Sequence, residues 1–168
     1  THGHGANKLD FWARGVAAVK AALNGLNIPL LHRDIERYDQ APEALLEIAR
    51  DHDIEQLHFN HEYALNERHR DQAVQEAFKQ AGITAHGYHD ALAFAPGSLL
   101  TGKGDFYGVF TPFSKAWHKQ ITADQLALRD TPPVQTALNI DSDPLPALPE
   151  LDSTPIDGRL WPAGEKAA

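Results

Sequence analysis

The chain has 168 residues, a net charge of −8, and neither cysteine nor methionine. That length suits one domain with a real core, and the acidity excludes a strong general attraction for nucleic acid, which depends on Lys and Arg neutralising phosphates. The lack of cysteine excludes disulfides, thiolate metal sites and cysteine nucleophiles.

Residues 7–25 are expected to form a helix, because Leu9, Trp12, Val16, Val19 and Leu23 recur at spacings of three and four and Gly25 lies near its end. Ile28-Pro29-Leu30-Leu31 reads as a short buried strand over 28–33, with Pro29 tolerated near its start. A second helix over 41–52 follows Pro42, an early-turn residue, and repeats Leu45, Leu46, Ile48 and Ala49 at helical spacing. Gln56 to Asn60 is the next strand. The helix over 63–81 sets Leu65, Val74, Ala77 and Phe78 toward the core and stops at Gly82. Ile83 to Tyr88 is a third strand. Strands separated by helices of this length predict parallel βαβ units, so the fold class is α/β with a Rossmann-like parallel sheet and flanking helices.

After Tyr88, Phe94-Ala95-Pro96-Gly97 and Thr101-Gly102-Lys103-Gly104 are turn signals. A short helix through His118 is expected, with Thr111 as its cap and Pro112 at its first position. Phe110, Phe113 and Trp117 make an apolar stripe on it, read as packing. From Asp130 to Pro162 the chain is rich in proline and acidic or small polar residues without a helical or strand period, which marks a linker. The expected division is a partial α/β domain over 1–129 and a linker over 130–168 that opens a further helix. Thr1 in place of a start Met, and a linker that ends without a second domain, predict that the natural protein continues on both sides.

Chemistry is concentrated between Leu57 and Asp71, where the strand gives way to Asn60-His61-Glu62-Tyr63 and a helix that opens with Asn66-Glu67-Arg68. Ligands of open α/β sheets sit beyond the carboxyl ends of strands, near unpaired first turns of helices. Two readings of Asn66 and Glu67 stand side by side. One is a solvated first turn whose acid opposes the helix dipole. The other is a pair that reads a flat heterocycle, since an amide offers donors and acceptors while ionised Glu only accepts. The pairs His58 with His61 and His86 with His89 have spacings that could hold zinc, but the first pair straddles a strand end and a closed zinc site needs four ligands. No metal site is expected. Thr101-Gly102-Lys103-Gly104 lacks the phosphate-loop spacing and a following helix. No run of apolar residues approaches the roughly 18 that span a bilayer, and no signal-peptide pattern is present, so the expected location is cytoplasmic, with no membrane partner.

Four blocks in order resemble the folate-type DNA photolyases and the related cryptochromes. They are Asn60-His61-Glu62-Tyr63-Ala64-Leu65-Asn66-Glu67-Arg68-His69-Arg70-Asp71, Pro96-Gly97-Ser98-Leu99-Leu100-Thr101-Gly102, Tyr107-Gly108-Val109-Phe110-Thr111-Pro112-Phe113 with Trp117, and Trp161-Pro162-Ala163-Gly164-Glu165. The resemblance covers essentially the whole chain and corresponds to the family's N-terminal antenna domain, with its first strands missing, and the linker after it. It implies that Asn66 and Glu67 contact the pterin of 5,10-methenyltetrahydrofolate, and that His2, ahead of Phe11 on the following helix, lies beside the same pigment, in a site that is partial here because the family closes it with residues of its helical domain. A frayed terminus is the other reading of His2. It also implies a parent deoxyribodipyrimidine photolyase, a carbon–carbon lyase acting on UV-damaged DNA. The parent's FAD would be held in a downstream helical domain, so no catalytic residue is expected in this chain and the chain alone is expected to be inactive. The parent is expected to be monomeric. Without the middle of the sheet, the strand over 28–33 should carry unpaired edge groups and the isolated chain should be marginally stable or associate. A cryptochrome-type blue-light receptor and a free-standing α/β nucleotide-binding module are the alternative functions.

Overall fold

The computed structural model describes residues 5–145 and 157–167. Helix α1 spans Ala6–Gly25, α2 Ala41–Asp51, strand β1 Gln56–Asn60, α3 Leu65–Gln80, β2 Thr84–Tyr88 and α4 Phe110–Gln120. Short 3₁₀ turns lie at Tyr38–Gln40, Asp124–Leu126 and Glu165–Ala167.

Helices α1, α2 and α3 end by one device. A residue in the left-handed region, Asn27 (φ 59°), Asp53 (φ 52°) or Gly82 (φ 76°), reverses the chain. The N–H of the next residue, an isoleucine each time, then donates back to the helix: Ile28 to the Leu23 carbonyl at 2.9 Å, Ile54 to Ala49 at 2.8 Å, and Ile83 to Phe78 at 2.9 Å. This is the Schellman arrangement, in which the apolar residue after the reversal packs back on the last turn. In α1 the reversal falls at Asn27, two residues past the expected Gly25.

Two compact units divide the chain, one of residues 34–129 and one of 1–33 with 130–168. In the first unit β1 and β2 pair in parallel with Gln56 opposite Thr84 and Asn60 opposite Tyr88. Alternation sends Leu57 and Ala85 inward, where they meet a cluster of Ala41, Leu46, Ala49, Val74 and Phe78 from α2 and α3. Phe78, 1% exposed, is the centre of that core. The opposite face of the sheet carries Gln56, His58, Thr84, His86 and Tyr88, all exposed. His58 stacks on His86 with ring centres 4.8 Å apart, and its ring nitrogens face the Tyr88 hydroxyl at 2.9 Å and Gln56 Oε1 at 3.2 Å.

The expected strand over 28–33 does not form. Pro29 has no N–H to give to a ladder, and the neighbouring N–H groups go to side chains instead, Leu30 to Ser142 Oγ at 3.0 Å and His32 to Asp143 Oδ2 at 2.7 Å. Backbone bonds from Gln135 to the Leu26 carbonyl and from Asp143 to the Leu30 carbonyl, both 2.9 Å, complete the contact. The expectation of unpaired edge groups is thereby corrected for this segment. The Pro-rich residues 130–145 have no helix or strand, yet residues 135–143 are tied by these bonds to the turn after α1 and to residues 30–32.

Helix α4 begins two residues before the expected start, so Val109 is the N-cap and the expected cap Thr111 lies inside the first turn with Pro112. Proline is tolerated there because the first N–H groups of a helix have no intrahelical acceptor to lose. Phe113 meets Tyr107 edge-on at 6.0 Å and Trp117 meets Phe94 at 5.9 Å. Phe110, expected to pack, is 75% exposed.

Candidate functional site

The carboxyl ends of β1 and β2 and the start of α3 form one polar cluster. Ala64, extended and without a capping side chain, precedes α3. The first intrahelical bond is from Arg68 N–H to the Ala64 carbonyl at 2.9 Å, so the N–H groups of Leu65, Asn66 and Glu67 have no acceptor among the described residues. This end of the helix carries the positive pole of the dipole, which favours Glu67 in the first turn.

Asn66 is exposed and its side chain makes no hydrogen bond among the described residues. Glu67 is half-buried, and its Oε1 accepts a bond from the Tyr38 hydroxyl at 3.0 Å. That bond, and the charge behind it, raise the Tyr38 phenol above its ordinary value of 10.0. The Tyr38 ring lies 5.7 Å from the Arg70 guanidinium, close enough for a cation–π contact. His2 lies outside the described residues.

Behind the first turn, Asp71 is the one buried charged side chain among the described residues, at 5% exposure. Its Oδ1 accepts from Arg70 Nη2 at 2.8 Å, and its Oδ2 accepts the Glu62 N–H at 3.2 Å and stands 3.5 Å from His61 Nδ1. Arg70 also donates to Glu62 Oε2 at 2.9 Å. Burial alone would lower the Arg70 pKa, but the bonds to Asp71 and Glu62 outweigh it and raise it. As sequence neighbours, Arg70 and Asp71 are expected on different faces of α3; the long guanidinium instead folds back along the helix onto the adjacent carboxylate. Past the strand ends, the Tyr63 hydroxyl meets His89 Nδ1 at 3.2 Å.

A hollow of about 210 Å³ opens here, lined by His61, Tyr63, Arg68, Asp71, Gln72 and Gln75 among others. Asn66 and Glu67 are not in its wall. Glu67 instead meets Tyr38. Asn66 and Glu67 stand out in the sequence, whereas Tyr38 does not, because no spacing signal connects it to position 67. Among the described residues no three His, Asp or Glu side chains converge as a metal site, and no helix is long and apolar enough to cross a membrane.

A flat heterocycle with mixed donors and acceptors suits this first turn. Asn66 offers both, Glu67 keeps one carboxylate oxygen uncommitted, and the free N–H groups of α3 add donors.

The chain is similar to known proteins along most of its length. The family model for DNA photolyase matches residues 1–136. A deoxyribodipyrimidine photo-lyase of Salmonella typhimurium is 30% identical over 165 residues, covering 94% of this chain and 34% of that protein. The Escherichia coli deoxyribodipyrimidine photo-lyase is 30% identical over 162 residues, covering 92% of this chain and 34% of that protein. The chain thus spans about a third of the length of these curated relatives. Among solved structures, a bacterial class III photolyase from Agrobacterium tumefaciens superposes with a TM-score of 0.70 at 22% identity, covering 84% of this chain and 28% of that one, a likeness of fold.

Proposed function

Because this chain belongs to the DNA photolyase family, we propose that it is the pigment-binding antenna part of a deoxyribodipyrimidine photolyase, which uses light to split cyclobutane pyrimidine dimers in DNA. The observation that supports this reading is the first turn of α3, where Asn66 and a Glu67 fixed by Tyr38 sit beside unpaired backbone N–H groups.

The pigment proposed is 5,10-methenyltetrahydrofolate, which when bound would absorb near-ultraviolet and blue light and pass the excitation to a reduced FAD held elsewhere in the enzyme. The free carboxylate oxygen of Glu67 accepts from amine and ring N–H groups of the pterin, as a charge-assisted bond. Asn66 answers a carbonyl or ring nitrogen with its amide N–H and a further N–H with its carbonyl. His2 is proposed as a third contact. The task of these residues is to hold the ring at one place and in one orientation, since the chemistry belongs to the cofactors.

Residues 1–129 are proposed as the antenna domain, with 130–168 leading toward the flavin-binding part of the enzyme. That part, outside this chain, is proposed to bind FAD and UV-damaged DNA. The net charge of −8 suits a portion that does not itself grip phosphates. The whole protein is proposed to act in the cytoplasm as a monomer. A full-length polypeptide carrying this segment should remove cyclobutane dimers from irradiated DNA under blue light and leave them in the dark. Dimer loss in the dark, or none under light with reduced FAD bound, contradicts the proposal.

A further inference from the structure

We propose that Tyr38 is a positioning residue for the pigment site, its hydroxyl holding one oxygen of Glu67 so that the other is presented outward as a single oriented acceptor. The inference rests on the reading of Asn66 and Glu67 given above.

Left to itself, Glu67 has a natural partner on its own helix, because residues three apart face each other and a Glu followed by an Arg at that spacing attract. Arg70 is that residue, but its guanidinium is taken by Glu62 at 2.9 Å and Asp71 at 2.8 Å. Glu67 has no cation partner among the described residues. Its polar contact is the Tyr38 hydroxyl at 3.0 Å. A hydroxyl donor fixes the carboxylate without neutralising it, so the full negative charge remains for a ligand N–H. An arginine in the same place would have consumed it.

Tyr38 is itself held. The amide oxygen of Gln40 accepts the N–H groups of Glu36 and Arg37, both at 2.9 Å, which pins the 3₁₀ turn that carries the phenol. Its ring lies by Arg70 at 5.7 Å, and Arg70 is anchored through Asp71 to the start of the loop before α3. The charged groups facing the phenol are therefore Glu67, Arg70 and Glu62. The same bond to Glu67 raises the phenol above its ordinary value. Tyr38 is 45% exposed, so the residue stands at the protein surface.

Two measurements on the full-length protein that carries this segment test this. In the first, methenyltetrahydrofolate is titrated into wild type and Tyr38→Phe and followed by its near-ultraviolet absorption. The variant should bind roughly threefold to tenfold more weakly, the worth of one hydrogen bond, and the absorption band of the bound pigment should move, a signature that a merely structural tyrosine would not produce. In the second, the ring of ¹³C-labelled Tyr38 is titrated by NMR in wild type and Glu67→Gln, and the phenol should fall back toward its ordinary value in the variant. Pigment bound by Tyr38→Phe as tightly as by wild type, with an unmoved band, overturns the inference while leaving the reading of Asn66 and Glu67 in place. A phenol unaffected by Glu67→Gln overturns it as well. Full-length wild-type protein that binds no pigment overturns the underlying reading, and the role of Tyr38 with it.

Discussion

His61 lies against the backbone of Gly87 so closely that a β-carbon at position 87 would stand 2.3 Å from its Cε1 and Nε2. The ring has little freedom to retreat, with Phe59 edge-on at 5.2 Å and Asp71 beside Nδ1 at 3.5 Å. Gly87→Ala should therefore lose about 1–3 kcal/mol of stability, the usual cost of overpacking, as read from urea unfolding. His61→Ala in the same background should recover part of that loss. A Gly87→Ala chain as stable as wild type would mean that the imidazole moves aside freely.

Asp71 joins the loop before α3 to the helix itself, and its carboxylate accepts from both a backbone N–H and a guanidinium while nearly buried. Asp71→Ala leaves the Glu62 N–H and one side of Arg70 without an acceptor, which should cost about 1–3 kcal/mol. Amide exchange at Glu62 should quicken beyond what the global loss explains. Unchanged protection there would show that the bond contributes little.

The carboxyl of Asp143 is held below its ordinary value of 3.8, first by the His32 N–H and then by the Arg33 guanidinium. A depressed carboxyl binds protons less readily when folded than when unfolded, so its contribution is present above the ordinary value and is lost as pH falls through the folded one. Acid should then loosen the pairing of residues 28–33 with 135–143. The amide of His32 should lose exchange protection on acidification below the ordinary carboxylate value, and Asp143→Asn should be weakened at neutral pH and lack that acid step. An identical pH profile in the two proteins would contradict the assignment.

Local chemistry decided which parts of the fold were legible. The end of α3 was readable because Gly82 tolerates the reversal, whereas the reversals after α1 and α2 fall on Asn27 and Asp53, which carry a weaker signal than glycine and were not singled out. The strand Gln56–Asn60 lies where it was expected, and Thr84–Tyr88 begins one residue after the expected Ile83. The segment at 28–33 misled because its apolar run looks like a strand, while its partners Ser142 and Asp143 are far away in sequence. At Thr111, hydroxyl and proline signals for a cap were real in kind but lay inside the turn. Of the candidate site, the place of Asn66 and Glu67 at the start of a helix after a strand was legible. Tyr38 was not, since only the packing of its 3₁₀ turn against α3 brings it to Glu67.

The most direct test mixes the full-length protein that carries this segment with methenyltetrahydrofolate and passes it through gel filtration, reading the near-ultraviolet absorption that travels with the protein. Wild type should retain the pigment and the double variant Asn66→Ala, Glu67→Gln should not. Equal retention by both, or none by wild type, would remove the opening turn of α3 as the pigment site.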